Sequence, residues 1–289
     1  MKNILEISGL RKEYKNFTLN DISFNLPRGY IMGLIGPNGA GKTTIIKLIM
    51  NLIRKNNGQI TIFGKDHIRD EVDIKSRIGF VYDNHPFYED VSLKNIARAI
   101  SYCYKSWDNE IFTNLLQKFS LPADKKFGKL SRGMKMKFSL ALAFSHHADL
   151  IIMDEPTSGL DPVFRRELLD LLADIIQDEQ KSVLFSTHIT SDLEKIADYI
   201  TFIHQGNIVF SCEKDELTEN WAVVKGGTEL LSEEHRPLLT AIRKTEFGIH
   251  ALTQNKQMLQ KTSLKDIVIE RASLEDIMFY LTKNENNKQ

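Results

Sequence analysis

The chain opens with a two-residue alternation of apolar and polar side chains. Ile4-Leu5-Glu6-Ile7 and Phe17-Thr18-Leu19 flank a polar Lys15-Asn16 corner, and Asp21 to Leu26 keep the same period, so a β-hairpin is expected. Pro27-Arg28-Gly29 then breaks the pattern. Tyr30 to Gly36 is almost wholly apolar and of strand length, as in a strand covered on both faces. Past a glycine-rich turn the period becomes helical. Ile45, Ile46, Ile49, Leu52 and Ile53 fall on one face, and Asn56-Asn57-Gly58 ends the run. Gln59 to Gly64 returns to strand spacing.

Residues 86–147 read as a helical insert. Leu93, Ile96, Ala97 and Ile100 have helical spacing, as do Ile111, Leu115, Leu116 and Phe119, with Asp108 as N-cap of the second group. A third helix is expected from Ser131 through Phe138, Leu142 and Ala143. Two apolar strands follow, Leu150 to Met153 and Ser182 to Ser186, separated by an amphipathic helix from Phe164 to Ile176. Ser191 and Glu194 form a capping-box pattern opening the next helix. Tyr199 to Ile203 and Ile208 to Phe210 surround Gln205-Gly206-Asn207 as a second hairpin. Strands alternating with helices predict a mostly parallel sheet covered on both faces, an α/β architecture. Beyond residue 213 the pattern weakens. Ala222 to Lys225, Gly248 to Leu252 and Asp266 to Glu270 read as strands of a small α+β region. Ser273 and Asp276 cap a last helix through Leu281, and Asn284 to Gln289 is polar and expected to fray. The expected domains are 1–213 and an accessory region, 214–289.

Composition narrows the function classes. The 289 residues carry 38 basic and 38 acidic side chains, so the net charge is zero. That balance lacks the electrostatic footprint of a nucleic-acid binder and gives no net drive toward anionic lipid. Hydrophobic residues are 42% and charged residues 26%, which excludes whole-chain disorder. Cys103 and Cys212 cannot form a CxxC pair and read as reduced thiols. Met1 to Lys15 lacks the apolar core of a secretion signal, and no run approaches the ~20 apolar residues of a membrane helix. A role at a membrane therefore requires another chain to span it. His146-His147 is a poor metal pair, because adjacent residues on a helix point about 100° apart.

The candidate chemistry sits at two strand ends. Gly36-Pro37-Asn38-Gly39-Ala40-Gly41-Lys42-Thr43 fits G-x-x-x-x-G-K-[ST] between an apolar strand and an amphipathic helix. The glycines admit backbone angles closed to other residues, so N–H groups can turn inward onto phosphate oxygens. The helix N-terminus adds positive potential. Lys42 is expected on the β- and γ-phosphates and the Thr43 hydroxyl on Mg²⁺. Asp154 and Glu155 end a buried strand, at the sheet edge where α/β proteins bind ligands. Alternation sends them to opposite faces, so Asp154 can reach the Mg²⁺ shell while Glu155 orients and deprotonates an attacking water.

Several motifs in one order identify a family. Gly36 to Thr44, Leu130-Ser131-Arg132-Gly133-Met134, Leu150 to Pro156, Ser158-Gly159-Leu160-Asp161 and His188 together resemble the ATP-binding subunit of an ABC transporter. The resemblance covers residues 3–213. It implies a phosphate-loop, RecA-like α/β core with an antiparallel β subdomain and a helical insert, and ATP and Mg²⁺ as cofactors. It implies that Tyr14 stacks on adenine, and that Gly36, Asn38, Gly39, Ala40, Gly41, Lys42, Thr43 and Thr44 cradle the phosphates. By the same resemblance Ser131 and Gly133 contact the γ-phosphate held by a second cassette, of the same or a sister chain. Asp161 matches the loop that crosses between the two nucleotide sites, and His188 the switch histidine supporting the attacking water. The implied partners are ATP, that second cassette and a transmembrane permease subunit, with no nucleic acid. The implied place is the cytoplasmic face of the cell membrane.

Two departures stand out. Asp83 occupies the place where the family has Gln, and offers Mg²⁺ a charged oxygen instead of a neutral one. Arg132 and Met134 replace the commoner Gly and Gln of the signature, while its Ser and second Gly remain. A competent ATPase with altered coupling is expected. The signature Ser131 to Lys137 resembles subunits linked to peptide or antibiotic export in Gram-positive bacteria. The alternatives are a non-transport cassette ATPase and a nucleotide-gated binding module. The first usually has two cassettes in one chain or a coiled-coil insertion, and the second has no need of Glu155 and His188. The aromatics Phe87, Tyr88, Tyr102, Tyr104 and Trp107 are expected mostly in the core, some of them forming a groove beside Asp83 for a short helix of the membrane partner.

Overall fold

The N-terminal alternation forms β1 (Asn3–Tyr14) and β2 (Phe17–Pro27), paired antiparallel across the Lys15-Asn16 turn. This is a computed structural model that describes residues 2–82, 87–246, 248–260 and 267–284. The apolar run after Pro27 is β3 (Ile31–Ile35), buried at every position. It leads through the glycine-rich loop into α1 (Lys42–Ile49). This helix stops short of the expected Leu52 and Ile53 because Asn51 adopts a left-handed φ of 50°, which ends the turn and leaves Leu52 53% exposed. The chain then returns as β4 (Asn57–Ile62) and β5 (Lys65–Asp66), giving an antiparallel sheet in the order β2-β1-β4-β5.

A short α2 (Glu71–Ser76) and β6 (Ile78–Val81) precede the helical insert. Its helices are α3 (Leu93–Ser101), α4 (Asn109–Lys118) and α5 (Arg132–Phe144). Asp108 caps α4 through its carboxylate, which accepts the Glu110 and Ile111 N–H groups. Phe87, Phe112 and Phe127 pack around Phe138 with ring centroids 5.8, 6.4 and 6.0 Å away, an aromatic cluster at the centre of the insert. His146 and His147 lie past the end of α5 rather than on a helix. His146 is buried between the Leu142 and Ile78 carbonyls, 3.2 and 3.0 Å from its ring nitrogens, and His147 lies 3.5 Å from Asp108.

The second half of the core is β7 (Leu150–Asp154), α6 (Pro162–Ile175), β8 (Ser182–Thr187), α7 (Thr190–Ile196), β9 (Tyr199–His204) and β10 (Asn207–Glu213). The six-stranded sheet runs β10-β9-β3-β8-β7-β6. Its β9-β3-β8-β7-β6 neighbours are parallel. The β9–β10 hairpin turns on Gln205 and Gly206, both at positive φ, the geometry that suits a twisted two-residue turn. Ile4, Leu5, Ile7 and Leu26 of the antiparallel sheet share one core with Met32, Leu34, Ile152 and Leu184 of the parallel sheet and with Ile45, Ile46 and Ile49 of α1.

Ser191 does not cap α7. It lies inside the helix, whose N-cap is Ile189. A tertiary ion pair uses this segment instead. Asp192 is fully buried, and its carboxylate accepts from Arg165 Nε at 2.6 Å, while Arg165 Nη2 donates to Ser191 Oγ. The second Asp192 oxygen has no partner among the described residues.

The chain divides into two compact units, Met1–Ser211 and Cys212–Gln289. The second contains α8 (Lys214–Asn220), β11 (Ala222–Gly226), β12 (Ala241–Thr245), β13 (Gly248–Thr253), α9 (Lys256–Gln260), β14 (Val268–Arg271) and α10 (Leu274–Asn284). Its antiparallel sheet runs β12-β13-β11-β14. Val224, Ile249, Ala251 and Leu259 form its own core. The polar run Arg243-Lys244 hides β12 from a reading by alternation. Ser273 and Asp276 cap α10 reciprocally: the Asp276 carboxylate accepts the Ser273 N–H and the Ser273 hydroxyl accepts the Asp276 N–H. Of the expected fraying tail, Asn284 is the last residue of α10, and residues 285–289 lie outside the described residues. Both cysteines are free.

Arg165→Ala leaves Asp192 as an uncompensated buried charge and is expected to cost about 3 kcal/mol in urea unfolding. The pair Arg165→Met with Asp192→Leu should recover most of that loss.

Candidate functional site

Parallel pairing places the site. In the β3–β8 register Ile35 faces Thr187, and in the β7–β8 register Asp154 faces Ser186. The loop after β3, the Asp154-Glu155 pair after β7 and His188 after β8 therefore emerge side by side at one sheet edge, where α/β folds bind their ligands.

The loop reaches this edge through close backbone approach. A Cβ at Gly36 would collide with the Ile203 carbonyl. Gly41 has φ 117° and is the N-cap of α1, with no side-chain cap and no acid in the first turn. The first N–H groups of the helix thus keep their positive potential for an anion.

Lys42 is 5% exposed. Its ammonium donates to the Gly36 carbonyl at 2.7 Å and the Pro37 carbonyl at 3.3 Å, and lies 3.2 Å from Glu155 Oε1. The other Glu155 oxygen lies 2.7 Å from His188 Nδ1 and accepts the His188 backbone N–H at 3.4 Å. One carboxylate thus joins the loop lysine to the strand-end histidine. Glu155 itself has φ 51°, in the left-handed region that residues with a Cβ seldom occupy.

Asp154 is buried behind this cluster. Burial pushes its carboxyl above the usual carboxylate range, while hydrogen bonds from Ser186 and Thr43 and the charge of Lys42 pull the other way. The Ser186 hydroxyl donates to Asp154 Oδ1 at 2.7 Å and accepts the Glu155 N–H at 3.1 Å. Reading along the sequence misses Ser186, whose only signal is its place two residues before His188. A cleft of about 430 Å³ opens beside the loop, lined by Asn16, Phe17, Thr18, Pro37, Asn38 and Gly39 among others.

Comparison with known proteins decides the family. Residues 19–158 match the ABC transporter family, and residues 126–191 match an AAA domain described as a putative AbiEii toxin of a Type IV toxin–antitoxin system. The chain is 31% identical to ABC transporter ATP-binding protein YtrB of Bacillus subtilis (strain 168), over 73% of this chain and 72% of that protein. It is 34% identical to lantibiotic transport ATP-binding protein SrtF of Streptococcus pyogenes, over 73% of this chain and 92% of that protein. The chain belongs to the ABC transporter ATP-binding proteins. A solved structure described as the ATP binding subunit of an ABC transporter matches it with TM-score 0.66 and 28% identity, covering 75% of this chain and 92% of that one. The chain is therefore an ATPase subunit coupled to transport.

The remaining expected residues of this cassette are distributed as follows. Ser131 is the N-cap of α5 and its hydroxyl accepts the Met134 N–H at 3.3 Å. Gly133 faces open space. Among the described residues, no hydrogen bond or ion pair joins either of them to the Lys42–Glu155–His188 cluster. Arg132 reaches over Gly159, where an added Cβ would lie 2.6 Å from its Nη1. The Asp161 carboxylate is the N-cap of α6, accepting the Val163 and Phe164 N–H groups at 3.1 and 2.9 Å. Tyr14 is 46% exposed at the end of β1, 6.5 Å from Phe17, with Lys12 Nζ 5.2 Å from its ring centre. Thr43 and Thr44 are half-buried in the first turn of α1. Asp83 lies outside the described residues.

The left-handed backbone at residue 155 gives a direct test. Glu155→Gly and Glu155→Ala both remove the carboxylate, but only Ala keeps the Cβ that conflicts with φ 51°. Glu155→Gly is expected to be the more stable variant by about 1 kcal/mol in denaturant unfolding.

Proposed function

We propose that the chain hydrolyses ATP at the Lys42–Glu155–His188 cluster, as one of two cassettes closing around two nucleotides, and drives a separate membrane subunit. The observation that carries this reading is the convergence of those three groups at one strand edge, 3.2 and 2.7 Å apart. ATP enters the loop and its triphosphate takes over Lys42, now held by two carbonyls and Glu155. The freed Glu155 carboxylate accepts the proton of the attacking water, and His188 holds that carboxylate and the γ-phosphate. The free N–H groups of α1 and the Gly36, Asn38, Gly39, Ala40 and Gly41 backbone bind the phosphates, with Thr44 at their margin. Tyr14 offers its exposed face to adenine above the cleft lined by Phe17.

The donor set fits Mg²⁺. Thr43 and Asp154 are hydrogen-bonded hard-oxygen donors at the loop exit. No group of three or more His, Cys, Asp or Glu side chains suited to a metal exists among the described residues. That suits a small ion held by one or two protein oxygens and completed by phosphate and water. When bound, the ion neutralises charge on the phosphates. Asp83 belongs to the same proposed shell on the family resemblance alone.

The second cassette, a copy or a sister chain, supplies the other wall. Ser131 and Gly133 open a helix that, among the described residues, shares no hydrogen bond or ion pair with the Lys42–Glu155–His188 cluster, and in this reading they serve the partner's nucleotide. Asp161, fixed as a helix cap, shapes the crossing loop between the two sites. No helix among the described residues is long and apolar enough to cross a membrane. The permease is therefore proposed as a separate chain, with this one at its cytoplasmic face. A groove of about 480 Å³, with Phe80, Tyr82, Phe87, Ile100, Tyr104 and Leu142 in its walls, suits the apolar face of a short helix from that subunit. Tyr88 and Tyr102 are strongly exposed nearby in sequence, whereas Phe87 packs into the insert core. The lantibiotic transport role of the relative SrtF, together with the Ser131–Lys137 signature, favours export of a peptide or antibiotic-like cargo.

Glu155→Gln is expected to bind ATP with near wild-type affinity, to dimerise on ATP, and to hydrolyse it at least 100-fold more slowly, the usual size of a lost general base. The measurement is steady-state ATPase beside equilibrium nucleotide binding. Wild-type turnover by the variant would remove Glu155 from the reaction.

A further inference from the structure

We infer that Ser186 is a positioning residue for ATP hydrolysis, a hydroxyl that sets Asp154 and Glu155 relative to each other. The inference rests on the proposed roles of those two acids. Ser186 is fully buried and stands opposite Asp154 in the parallel β7–β8 register. Its proton is committed to Asp154 Oδ1 at 2.7 Å. Its lone pair accepts the Glu155 N–H at 3.1 Å, and the same N–H also reaches the Ser186 carbonyl at 3.0 Å. One side chain therefore fixes a carboxylate through a donor and the next peptide through an acceptor.

That peptide needs holding. At φ 51° Glu155 is in a sparsely populated conformation that its surroundings must hold, and its carboxylate contacts Lys42 and His188. Asp154 needs holding as well, since a carboxylate 2% exposed is cut off from water and must take its hydrogen bonds from protein donors, here the Ser186 and Thr43 hydroxyls. A hydroxyl is the smallest group able to do both, because it donates and accepts at one atom. Alanine at 186 would leave Asp154 Oδ1 short of a donor and Glu155 with only the carbonyl. Both acids could then turn away from their working geometry without loss of the phosphate loop.

The test uses the full chain and four forms: wild type, Ser186→Ala, Ser186→Thr and Glu155→Gln. ATPase is measured as separate kcat and KM, ATP affinity is measured at equilibrium with EDTA present, and each form is melted. Ser186→Ala is expected to lose at least tenfold in kcat, with KM and ATP affinity within twofold of wild type. Ser186→Thr, which keeps the hydroxyl, should recover kcat to within about threefold. Wild-type kcat in Ser186→Ala would overturn the inference. So would a loss that follows ATP affinity and melting temperature in step, or a Thr variant that melts normally yet is as slow as Ala. If Glu155→Gln is slow while Ser186→Ala is not, only the role of Ser186 falls. If Glu155→Gln keeps wild-type turnover, the reading of Glu155 falls first.

Discussion

A buried ammonium must be paired, and in this cassette the pairing of Lys42 organises everything around it. The Lys42 ammonium has left water almost completely, and two loop carbonyls with one Glu155 oxygen replace its hydration. Glu155 reaches it from a left-handed turn at residue 155, at the end of β7, which lies one strand from β3 with β8 between them. His188 takes the other oxygen of the same carboxylate. Under the proposed reading, an incoming phosphate exchanges the Lys42–Glu155 contact for its own contact with Lys42 and releases the carboxylate.

The rest of the first unit either builds that edge or extends it outward. The antiparallel sheet and α1 share their core with β3, β7 and β8, so the loop rests on a packed floor. The insert has an aromatic centre at Phe138, and its residues supply the Ser131 helix cap and most walls of the apolar groove. The Arg165–Asp192 pair ties α6, whose cap is Asp161, to α7, which follows His188. The segments around Asp161 and His188 are thereby linked through one charge pair, its Asp192 fully buried. The second unit holds its own small core.

Much of this was legible along the chain where one residue type has one use. Gly41 and Lys42 advertise a phosphate loop by spacing, and Asp154-Glu155 after four apolar residues advertises a strand end. Errors arose where a tertiary contact or a single backbone angle overrode the local pattern. Asn51 ends α1 before Leu52 through its left-handed backbone. Ser191 looks like a cap in sequence, but Asp192 beside it is drawn into a buried pair with Arg165, 27 positions away. Two adjacent basic residues disguise β12, because a strand whose neighbours supply the core can carry Arg243 and Lys244.

By itself the sequence determined the elements, the phosphate loop, the paired acids and the family, since those depend on residue type and on spacing within one segment. The tertiary structure decided which groups meet. That Glu155 bridges Lys42 to His188 and that Ser186 lies opposite Asp154 follow from strand order and register, and which aromatics wall the groove follows from the packing of the insert. Those quantities are set by the packing of segments far apart in the chain, and no local pattern encodes them.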